Sequence, residues 1–413
     1  MWFFLKKQGL FRAASGLIGG LAVFHAVALF GLVGESEALA VLGGGLVLLA
    51  LPRPRLSLAL ALGARAAALR LAGRVAAAGL DARAMRTTPL AGLITYDFQH
   101  GHQTFRANAR ASFTVPFGDL AAMRGADLGA GPREVNFATD SRGLRNDADY
   151  AGQAWVLLGD SFVVASATDQ ASTLSRRLKE QHGLDAYNVA AVGGDPADYK
   201  KWLDEFFAAH PGSPAKAVVF CFEGNDFGPV RDVDADTPAW RLWTKRYLNL
   251  YRFMPLGKLC TVLAGRLRAK GHADPVLDAT AGGRPLHFYK QYVDVTARPA
   301  YPNPGQFREV LAAMRPHLAA VVFIPTKFRV YAPLLDQPPG AFPNVQWEYL
   351  SGLCADLGLP CLDLTSALRT AAGRLLPRGE FVFWPDDTHW NAAGIAAAAD
   401  AVAPFLKGLR AGQ

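Results

Sequence analysis

From residue 154 to the C-terminus, short apolar runs alternate with longer stretches of helical character. The apolar runs have the length of strands and cover residues 154–158, 186–191, 217–222, 319–324 and 359–364. The helical stretches cover residues 173–182, 196–209, 306–316, 345–357 and 391–406. Strands that alternate with helices form βαβ units around a mainly parallel sheet. The pattern therefore predicts a three-layer α/β domain with helices on both faces of the sheet.

Polar segments follow the ends of these strands or begin the last helix. The first is Gly-Asp-Ser at 159–161, directly after the first apolar run. The others are Asn-Val-Ala-Ala-Val-Gly-Gly at 188–194, Glu-Gly-Asn-Asp at 223–226 and Asp-Asp-Thr-His-Trp-Asn at 386–391. Open α/β sheets bind their ligands outside the carboxyl ends of the strands. The order and spacing of the four segments therefore favour one site at that edge.

Ser161 and His389 are the residues in these segments best suited to nucleophilic chemistry. A serine hydroxyl is a weak nucleophile until a base removes its proton. Histidine is the side chain whose ordinary pKa lies near working pH. A carboxylate beside the imidazole would hold its tautomer and stabilise its charged form. The residue types thus predict a serine, histidine and aspartate triad.

Together the four segments resemble the SGNH, or GDSL-type, hydrolase superfamily, over residues 155–413 apart from an insertion. The resemblance implies a flavodoxin-like three-layer α/β/α domain with Ser161 as the nucleophile and His389 as the general base. It also implies that the backbone N–H of Gly193 and the side-chain amide of Asn225 donate hydrogen bonds to the oxyanion of the tetrahedral intermediate. No metal or organic cofactor is implied.

Two features depart from the usual pattern of that superfamily. Glu223 stands where the family usually has glycine, which predicts an acidic pocket wall beside Asn225. The acid of the triad has two candidates. Asp386 lies three residues before His389, as in most family hydrolases, whereas Asp387 belongs to Asp-Thr-His-Trp, which resembles the motif of alginate-type O-acetylation enzymes. The second pattern favours Asp387, and Asp386 stays open.

The resemblance implies acyl-ester chemistry through an acyl-enzyme on Ser161. The predicted substrate is an O-acyl group on a glycan, a lipid or a related metabolite, and the primary prediction is a serine esterase. An O-acetyltransferase of polysaccharide modification is the alternative, because the same triad serves both reactions. A catalytically idle scaffold that binds glycan at a membrane is a hypothesis of another class. The pairing of Ser161 with His389 argues against it, since a binding module needs neither residue.

The N-terminal part of the chain favours a membrane as a partner. Residues 13–33 form a long apolar run and residues 38–51 a second, shorter one rich in glycine and leucine, and basic residues surround them. Twenty or so apolar residues can span a bilayer, so the two runs predict a transmembrane helical hairpin. Residues 56–74 carry several arginines, which favours an amphipathic helix on an anionic leaflet. The positive-inside rule then predicts a multi-pass inner-membrane protein with a cytoplasmic catalytic domain, and a periplasmic domain is the alternative.

The net charge of +8 does not by itself indicate nucleic acid, because the sequence has neither zinc-finger spacing nor an RNA-binding signature.

The predicted domain organisation is a transmembrane hairpin at 1–55, an amphipathic helix and connecting region at 56–150, and a catalytic domain at 151–413. Residues 228–304 interrupt the βαβ rhythm and predict an insertion that roofs the pocket. Cys354 and Cys361 are predicted to be free thiols. The oligomeric state is left open.

Overall fold

The computed structural model of the chain describes residues 93–97, 102–228, 274–301 and 304–411. The predicted hairpin at 1–55, the amphipathic segment at 56–74 and much of the insertion at 228–304 lie outside the described residues. The strands are β1 Ile94–Asp97, β2 His102–Phe105, β3 Arg110–Val115, β4 Arg133–Ala138, β5 Trp155–Leu158, β6 Ala186–Asn188, β7 Lys216–Phe222, β8 Val276–Ala281, β9 Arg284–Tyr289, β10 Leu318–Ile324 and β11 Cys361–Asp363. The helices are α1 Asp119–Arg124, α2 Ser161–Val164, α3 Leu174–His182, α4 Pro196–Ala209, α5 Lys290–Thr296, α6 Pro304–Met314, α7 Lys327–Tyr331, α8 Val345–Leu357, α9 Thr365–Leu375 and α10 Ala392–Ala411.

The centre of the domain is a five-stranded sheet in the order β11-β10-β7-β5-β6. Every pairing within it is parallel. Counted along the chain, the order is 2-1-3-4-5, which is the flavodoxin-like arrangement. Its topological switch point lies at β5, because the chain goes first to β6 on one side and then to β7 on the other. The prediction of a parallel α/β sheet is confirmed.

The strands of this sheet are apolar on both faces because helices cover both. Side chains of β5 alternate between two buried clusters, Leu157 in one and Val156 with Leu158 in the other. Helices α3, α9 and α10 contribute to the first cluster, and α4, α6 and α8 contribute to the second. This is why the parallel strands appear in the sequence as unbroken apolar runs rather than as alternating ones.

Residues 102–150, which the sequence assigned to a connecting region, pack on the same core as the sheet. Strands β3 and β4 form an antiparallel hairpin. Phe105, Val115, Val135 and Phe137 are buried in the first cluster, together with Leu157 of the central sheet. A second antiparallel hairpin, β8–β9, and helix α5 lie in the described part of the predicted insertion, and Leu286 of the hairpin joins that cluster.

Helix α10 is the one helix of the described ranges that is long and apolar enough to cross a membrane, judged by length and composition alone. Its apolar window, Ala392–Leu409, has 39% of its residues buried within the protein. Ile395, Val402 and Leu406 belong to the first core cluster. Helix α10 therefore covers one face of the sheet. The cysteines Cys221, Cys354 and Cys361 are free thiols, as predicted.

Candidate active site

The predicted nucleophile lies at the turn between β5 and α2. All four residues of β5 are buried, and Ser161 is the first residue of α2. The carboxylate of Asp160 caps this helix by accepting a 2.9 Å hydrogen bond from the Phe162 N–H. The helix ends after one turn at Ala165, whose φ of 54° is left-handed. The turn therefore presents Ser161 at the carboxyl edge of the sheet, beside the switch point.

His389 contacts both Ser161 and Asp387. Its Nε2 atom lies 2.7 Å from Ser161 Oγ, across 228 residues of sequence. Its Nδ1 atom lies 2.7 Å from Asp387 Oδ1, and the same oxygen accepts a 3.0 Å hydrogen bond from the His389 backbone N–H. The structure thus brings three predicted site residues into one hydrogen-bonded row, in the geometry of a nucleophile, a base and an orienting acid.

The turn that carries His389 is anchored on both sides. Trp390 is buried, and its indole Nε1–H donates a 2.9 Å hydrogen bond to the carbonyl of Phe162, the residue after the nucleophile. On the other side, Lys327 Nζ donates to the carbonyls of Trp384, Pro385 and Asp387 at 2.8, 2.9 and 3.2 Å. The turn is therefore held in place by side-chain hydrogen bonds to backbone carbonyls, in addition to the direct contact between Ser161 and His389.

Asp386, the other predicted acid, does not contact His389. One of its carboxylate oxygens pairs with the buried guanidinium of Arg133 on β4. The other accepts a 2.6 Å hydrogen bond from the Gly118 N–H. Its assignment as a catalytic acid is therefore wrong in this geometry. Because Asp386 faces away from the imidazole, its contribution is to hold the turn, and Asp387 alone of the two reaches the base.

The start of α1 and Gly118, which precedes it, pack against the turn that carries His389. The backbone N–H groups of Leu120 and Ala121 donate to the Asp386 carbonyl at 3.1 and 3.3 Å, and Asp119 N–H donates to Asp387 Oδ2 at 3.1 Å. Gly118 is needed here because a Cβ atom at that position would lie 2.3 Å from the Asp386 carbonyl oxygen. The region predicted to connect two domains therefore supplies part of the site.

Asp119 also brings a second carboxylate to the imidazole. Its Oδ1 atom accepts a 2.8 Å hydrogen bond from the Thr388 N–H, and its other oxygen accepts from the Thr388 hydroxyl. That second oxygen lies 3.7 Å from His389 Nδ1. Neither Asp119 nor Arg133 was foreseen from the sequence, because neither belongs to a recognisable motif. The local signal at Asp119 was a charged residue next to a glycine, which is common in turns.

The predicted oxyanion donors lie in the loops on either side of Ser161. Gly193 follows β6 and Asn225 follows β7, and these strands are the two neighbours of β5. Gly193 has a φ of +76°, which favours glycine. The Asn225 Nδ2 atom donates a 3.2 Å hydrogen bond to Asp160 Oδ2. One amide hydrogen is thus held by the cap of the nucleophile helix.

Glu223 does not form an acidic pocket wall, so that expectation is wrong. Its side chain is fully buried and forms an ion pair with Arg329, whose Nη2 and Nε atoms lie 2.5 and 2.7 Å from Glu223 Oε1. The other carboxylate oxygen accepts a 2.9 Å hydrogen bond from the Thr326 N–H. Glu223 therefore joins β7 to the start of α7 below the site instead of facing the substrate.

The charges at the site shift one another's pKa values. Burial alone lowers the pKa of His389, but the hydrogen bond and charge of Asp387 and the charge of Asp119 outweigh it and raise that pKa to about 9. Burial tends to raise the pKa of Asp387, yet the hydrogen bond and charge of His389, with Arg133, hold it well below its ordinary value. Burial and the charge of Asp387 raise the pKa of Asp119 to about 6.

Lys327 and Arg133 are the buried cations of the site. Burial lowers the pKa of Lys327 to about 7, although the charges of Asp387 and Asp119 oppose the shift. Burial also lowers the pKa of Arg133, whose guanidinium lies 4.2 Å from the ring centroid of Trp384. The two cations offset the negative charge of the carboxylates around the base. His389 and then Arg133 lower the pKa of Asp387 and so keep this carboxylate ionised.

Within the described ranges, Asp119, Asp387 and His389 form a group whose ligand atoms lie within 4.8 Å of one another, close enough to hold a metal ion. Both imidazole nitrogens, however, already face hydrogen-bond partners at 2.7 Å. A metal ligated there would have to displace Ser161 or Asp387 from the imidazole. The donor arrangement fits proton transfer better than metal ligation.

The parallel sheet, the nucleophile turn and the Ser161–His389–Asp387 row define an SGNH-type α/β hydrolase domain. Within that class, residues 303–413 match the family model described as the SGNH hydrolase-like domain of the acetyltransferase AlgX. Over these residues the chain is therefore similar to the SGNH-type superfamily and to AlgX. Its enzyme class is that of esterases and acyltransferases. No curated protein is similar enough in sequence to count as a relative.

Two solved structures resemble the chain distantly. The α/β hydrolase LAE5 from the metagenome of Lake Arreo, Spain, is 14% identical, with 63% of this chain and 96% of that chain covered and a TM-score of 0.30. The Bacillus subtilis protein YxiM is 12% identical, with 73% of this chain and 75% of that chain covered and a TM-score of 0.33. These scores are too low for either likeness to carry an argument.

Proposed function

We propose that this chain is a serine esterase that acts on O-acyl groups through an acyl-enzyme on Ser161. The observation that carries the proposal is the row of 2.7 Å contacts from Ser161 Oγ through His389 to Asp387. A hydroxyl, an imidazole and an ionised carboxylate in this order are what acyl transfer requires, whereas a binding scaffold needs none of them.

The reaction has two halves. Ser161 Oγ attacks the ester carbonyl while its proton passes to His389 Nε2, and the carbonyl π electrons move onto the oxygen. Collapse of the tetrahedral intermediate breaks the bond to the alcohol, which takes the proton from His389. Water then attacks the acyl-enzyme with His389 as base, and the carboxylic acid and free Ser161 are released. The N–H of Gly193 and the amide of Asn225 are the proposed donors to the oxyanion.

Two measurements test the nucleophile. Hydrolysis of p-nitrophenyl acetate by the full-length protein should depend on Ser161, so the Ser161→Ala variant should fall to the rate of buffer. A fluorophosphonate probe should label Ser161, as shown by mass spectrometry of the digested protein. Ser172→Ala is the matched control. Ser172 is half-buried like Ser161, but it lies in the helical turn at 170–172 and not in the triad. Equal rates for wild type and Ser161→Ala, or labelling spread over other serines, would overturn the proposal.

An O-acetyltransferase is the second candidate, and the match of residues 303–413 to the AlgX domain favours it. In that reaction a sugar hydroxyl replaces water as the attacker of the acyl-enzyme. Adding an oligosaccharide acceptor to the p-nitrophenyl acetate assay separates the two. A transferase should release p-nitrophenol faster and yield an acetylated oligosaccharide detectable by mass spectrometry. An esterase should yield only acetate, with a rate that is independent of the acceptor.

We also propose that the substrate is an acylated glycan or lipid and that the chain is anchored in the inner membrane. Support for the anchor comes from the apolar runs at 13–33 and 38–51 and from their flanking basic residues. The same charge distribution favours a cytoplasmic domain over a periplasmic one. Alkaline phosphatase fused after Gln413 tests the topology. An inactive fusion is expected, and an active one would place the domain in the periplasm.

A further inference from the structure

The triad accounts for one carboxylate beside His389, yet the structure holds two. We propose that Asp119 is a positioning residue that supplies a second negative charge to His389 when the imidazole takes the proton of Ser161. The inference rests on the proposed acyl-ester chemistry, which requires that imidazolium. It assigns a function to a residue outside every motif of the sequence.

The geometry puts the Asp119 carboxylate against the same ring nitrogen that Asp387 holds. Asp119 Oδ2 lies 3.7 Å from His389 Nδ1, beyond a hydrogen bond but within the range of a strong charge interaction. Asp387 Oδ1 lies 2.7 Å from that nitrogen and accepts a hydrogen bond from its N–H group. Asp387 therefore fixes the tautomer, and Asp119 is left to act on the charge alone.

The carboxylate of Asp119 is fixed in place rather than free to turn away. Its two oxygens accept hydrogen bonds from the backbone N–H and the hydroxyl of Thr388, the residue between Asp387 and His389. Its own backbone N–H donates to Asp387 Oδ2. Asp119 thus forms hydrogen bonds with the segment that carries Asp387 and His389. Because the carboxylate is already oriented, it needs no reorganisation when charge develops on the imidazole.

Other charged groups surround the imidazole and set the background for this effect. Asp160 caps the nucleophile helix on the β5 side, and Arg133 reaches Asp387 from β4. Lys327 donates to the Asp387 carbonyl from α7, and the phenol of Tyr292 in α5 is kept neutral by burial, which raises its pKa. Within the described residues, the contacts that Arg133 and Lys327 make with the triad go to Asp387. Asp119 is therefore the second anion that faces Nδ1 directly.

The test uses the Asp119→Asn variant of the full-length protein. Asparagine keeps an oxygen acceptor for the Thr388 N–H but removes the charge. If Asp119 stabilises the imidazolium, the pKa of His389 should fall by about one unit, since a charge at this distance shifts pKa values by about that much or more. Histidine-selective ¹⁵N NMR measures it, with His389→Gln to assign the signal among the nine histidines. This readout does not depend on turnover.

The pH profile of kcat/KM with p-nitrophenyl acetate gives a second readout. Well below the pKa of His389 the enzyme starts with a charged imidazole, so Asp119 stabilises ground state and transition state alike, and the two proteins should have equal rates. On the alkaline plateau the imidazole starts neutral, and the variant should be about tenfold slower for a one-unit shift. Rates between pH 7 and 10 are compared, where the Asp119 carboxylate is ionised in wild type.

A purely structural role would lower the rate by the same factor at every pH, and that result would overturn the inference, as would an unchanged His389 pKa. Asp149→Asn is the matched control, because Asp149 is an exposed carboxylate that accepts a hydrogen bond from the Ser141 N–H at a distance from the triad. It should leave both readouts unchanged. Hydrolysis that does not depend on Ser161 would refute the proposed function instead, while the NMR titration would still decide the role of Asp119.

Discussion

Arg133 and Asp386 form a buried ion pair although 253 residues separate them in sequence. Their side chains are only 2% and 3% exposed. The pair joins β4 to the turn that carries Asp387 and His389, and Arg133 Nη1 also lies 3.6 Å from Asp387 Oδ2. One contact thus couples the stability of the domain to the placement of the triad.

Removing one member of this pair should destabilise the domain strongly. Arg133→Met leaves the Asp386 carboxylate buried without its partner, which is expected to cost about 3–5 kcal/mol of unfolding free energy. The double variant Arg133→Met with Asp386→Asn should cost less than the sum of the single variants. Urea denaturation measures all three. Arg176→Met is the control, because the exposed Arg176–Asp147 pair should contribute no more than about 1 kcal/mol. Additive losses would show that the two side chains do not interact.

The two neighbouring aspartates should differ sharply in their effect on rate. Asp387→Asn removes the orienting acid and should lower kcat by about 10⁴-fold, because the imidazole loses its tautomer and its charge partner. Asp386→Asn only loosens the turn and should lower kcat by no more than about 10²-fold. Steady-state hydrolysis of p-nitrophenyl acetate compares them, with circular dichroism to verify folding. If the folded Asp386→Asn variant lost as much activity as Asp387→Asn, the assignment of Asp387 as the orienting acid would be contradicted.

Activity should rise with pH up to about pH 9. The base must be neutral to accept the Ser161 proton, and its contacts with Asp387 and Asp119 raise the pKa of His389 to about 9. A plot of kcat/KM against pH should therefore climb through neutral pH and level off near that value. A plateau already reached near pH 7 would contradict the charge arrangement described for the site.

The raised pKa of His389 should make activity rise with pH but make the stability of the fold fall with pH. Because the folded-state pKa of His389 lies above its ordinary value of 6.5, the stabilisation is fully present below pH 6.5 and is lost as pH rises through about 9. The difference in unfolding free energy between wild type and His389→Gln should therefore narrow between these pH values. The lowered pKa of Lys327 makes stability rise with pH, but Lys327 is present in both proteins, so its contribution to the unfolding free energy cancels in this difference. A constant difference across the range would contradict the prediction.

Asn225 should matter for the transition state more than for binding. Asn225→Ala is expected to lower kcat by about 10²–10³-fold with little change in KM, because an oxyanion donor acts when charge develops. Asp160 holds one hydrogen of this amide, so Asp160→Asn should give a smaller loss. Asp204→Ala, at an exposed position of α4, serves as a surface control that should match wild type. Equal kcat values for Asn225→Ala and wild type would remove Asn225 from the oxyanion site.

Much of the sheet could be predicted because its strands are buried on both faces. The apolar runs at 154–158 and 217–222 indicate covered parallel strands, and the observed β5 (155–158) and β7 (216–222) differ from these predicted bounds by one residue each. The hairpins were harder to predict. Strands β8 and β9 lie in a stretch of mixed composition, and their pairing depends on the core beneath them.

The sequence by itself determined the fold class and predicted the nucleophile and its base, because these depend on local apolar patterns and on short motifs. Only the tertiary structure decided between Asp386 and Asp387, since the two neighbours differ in which way the turn directs their side chains. It also turned Glu223 away from the pocket toward Arg329, and it brought Gly118, Asp119 and Arg133 against the triad. Glu223 and Arg329 are 106 positions apart, and the contacts at the triad join residues more than 250 positions apart, as with Gly118 and Asp386. They arise from how the β3–β4 region packs on the sheet, which no local pattern encodes.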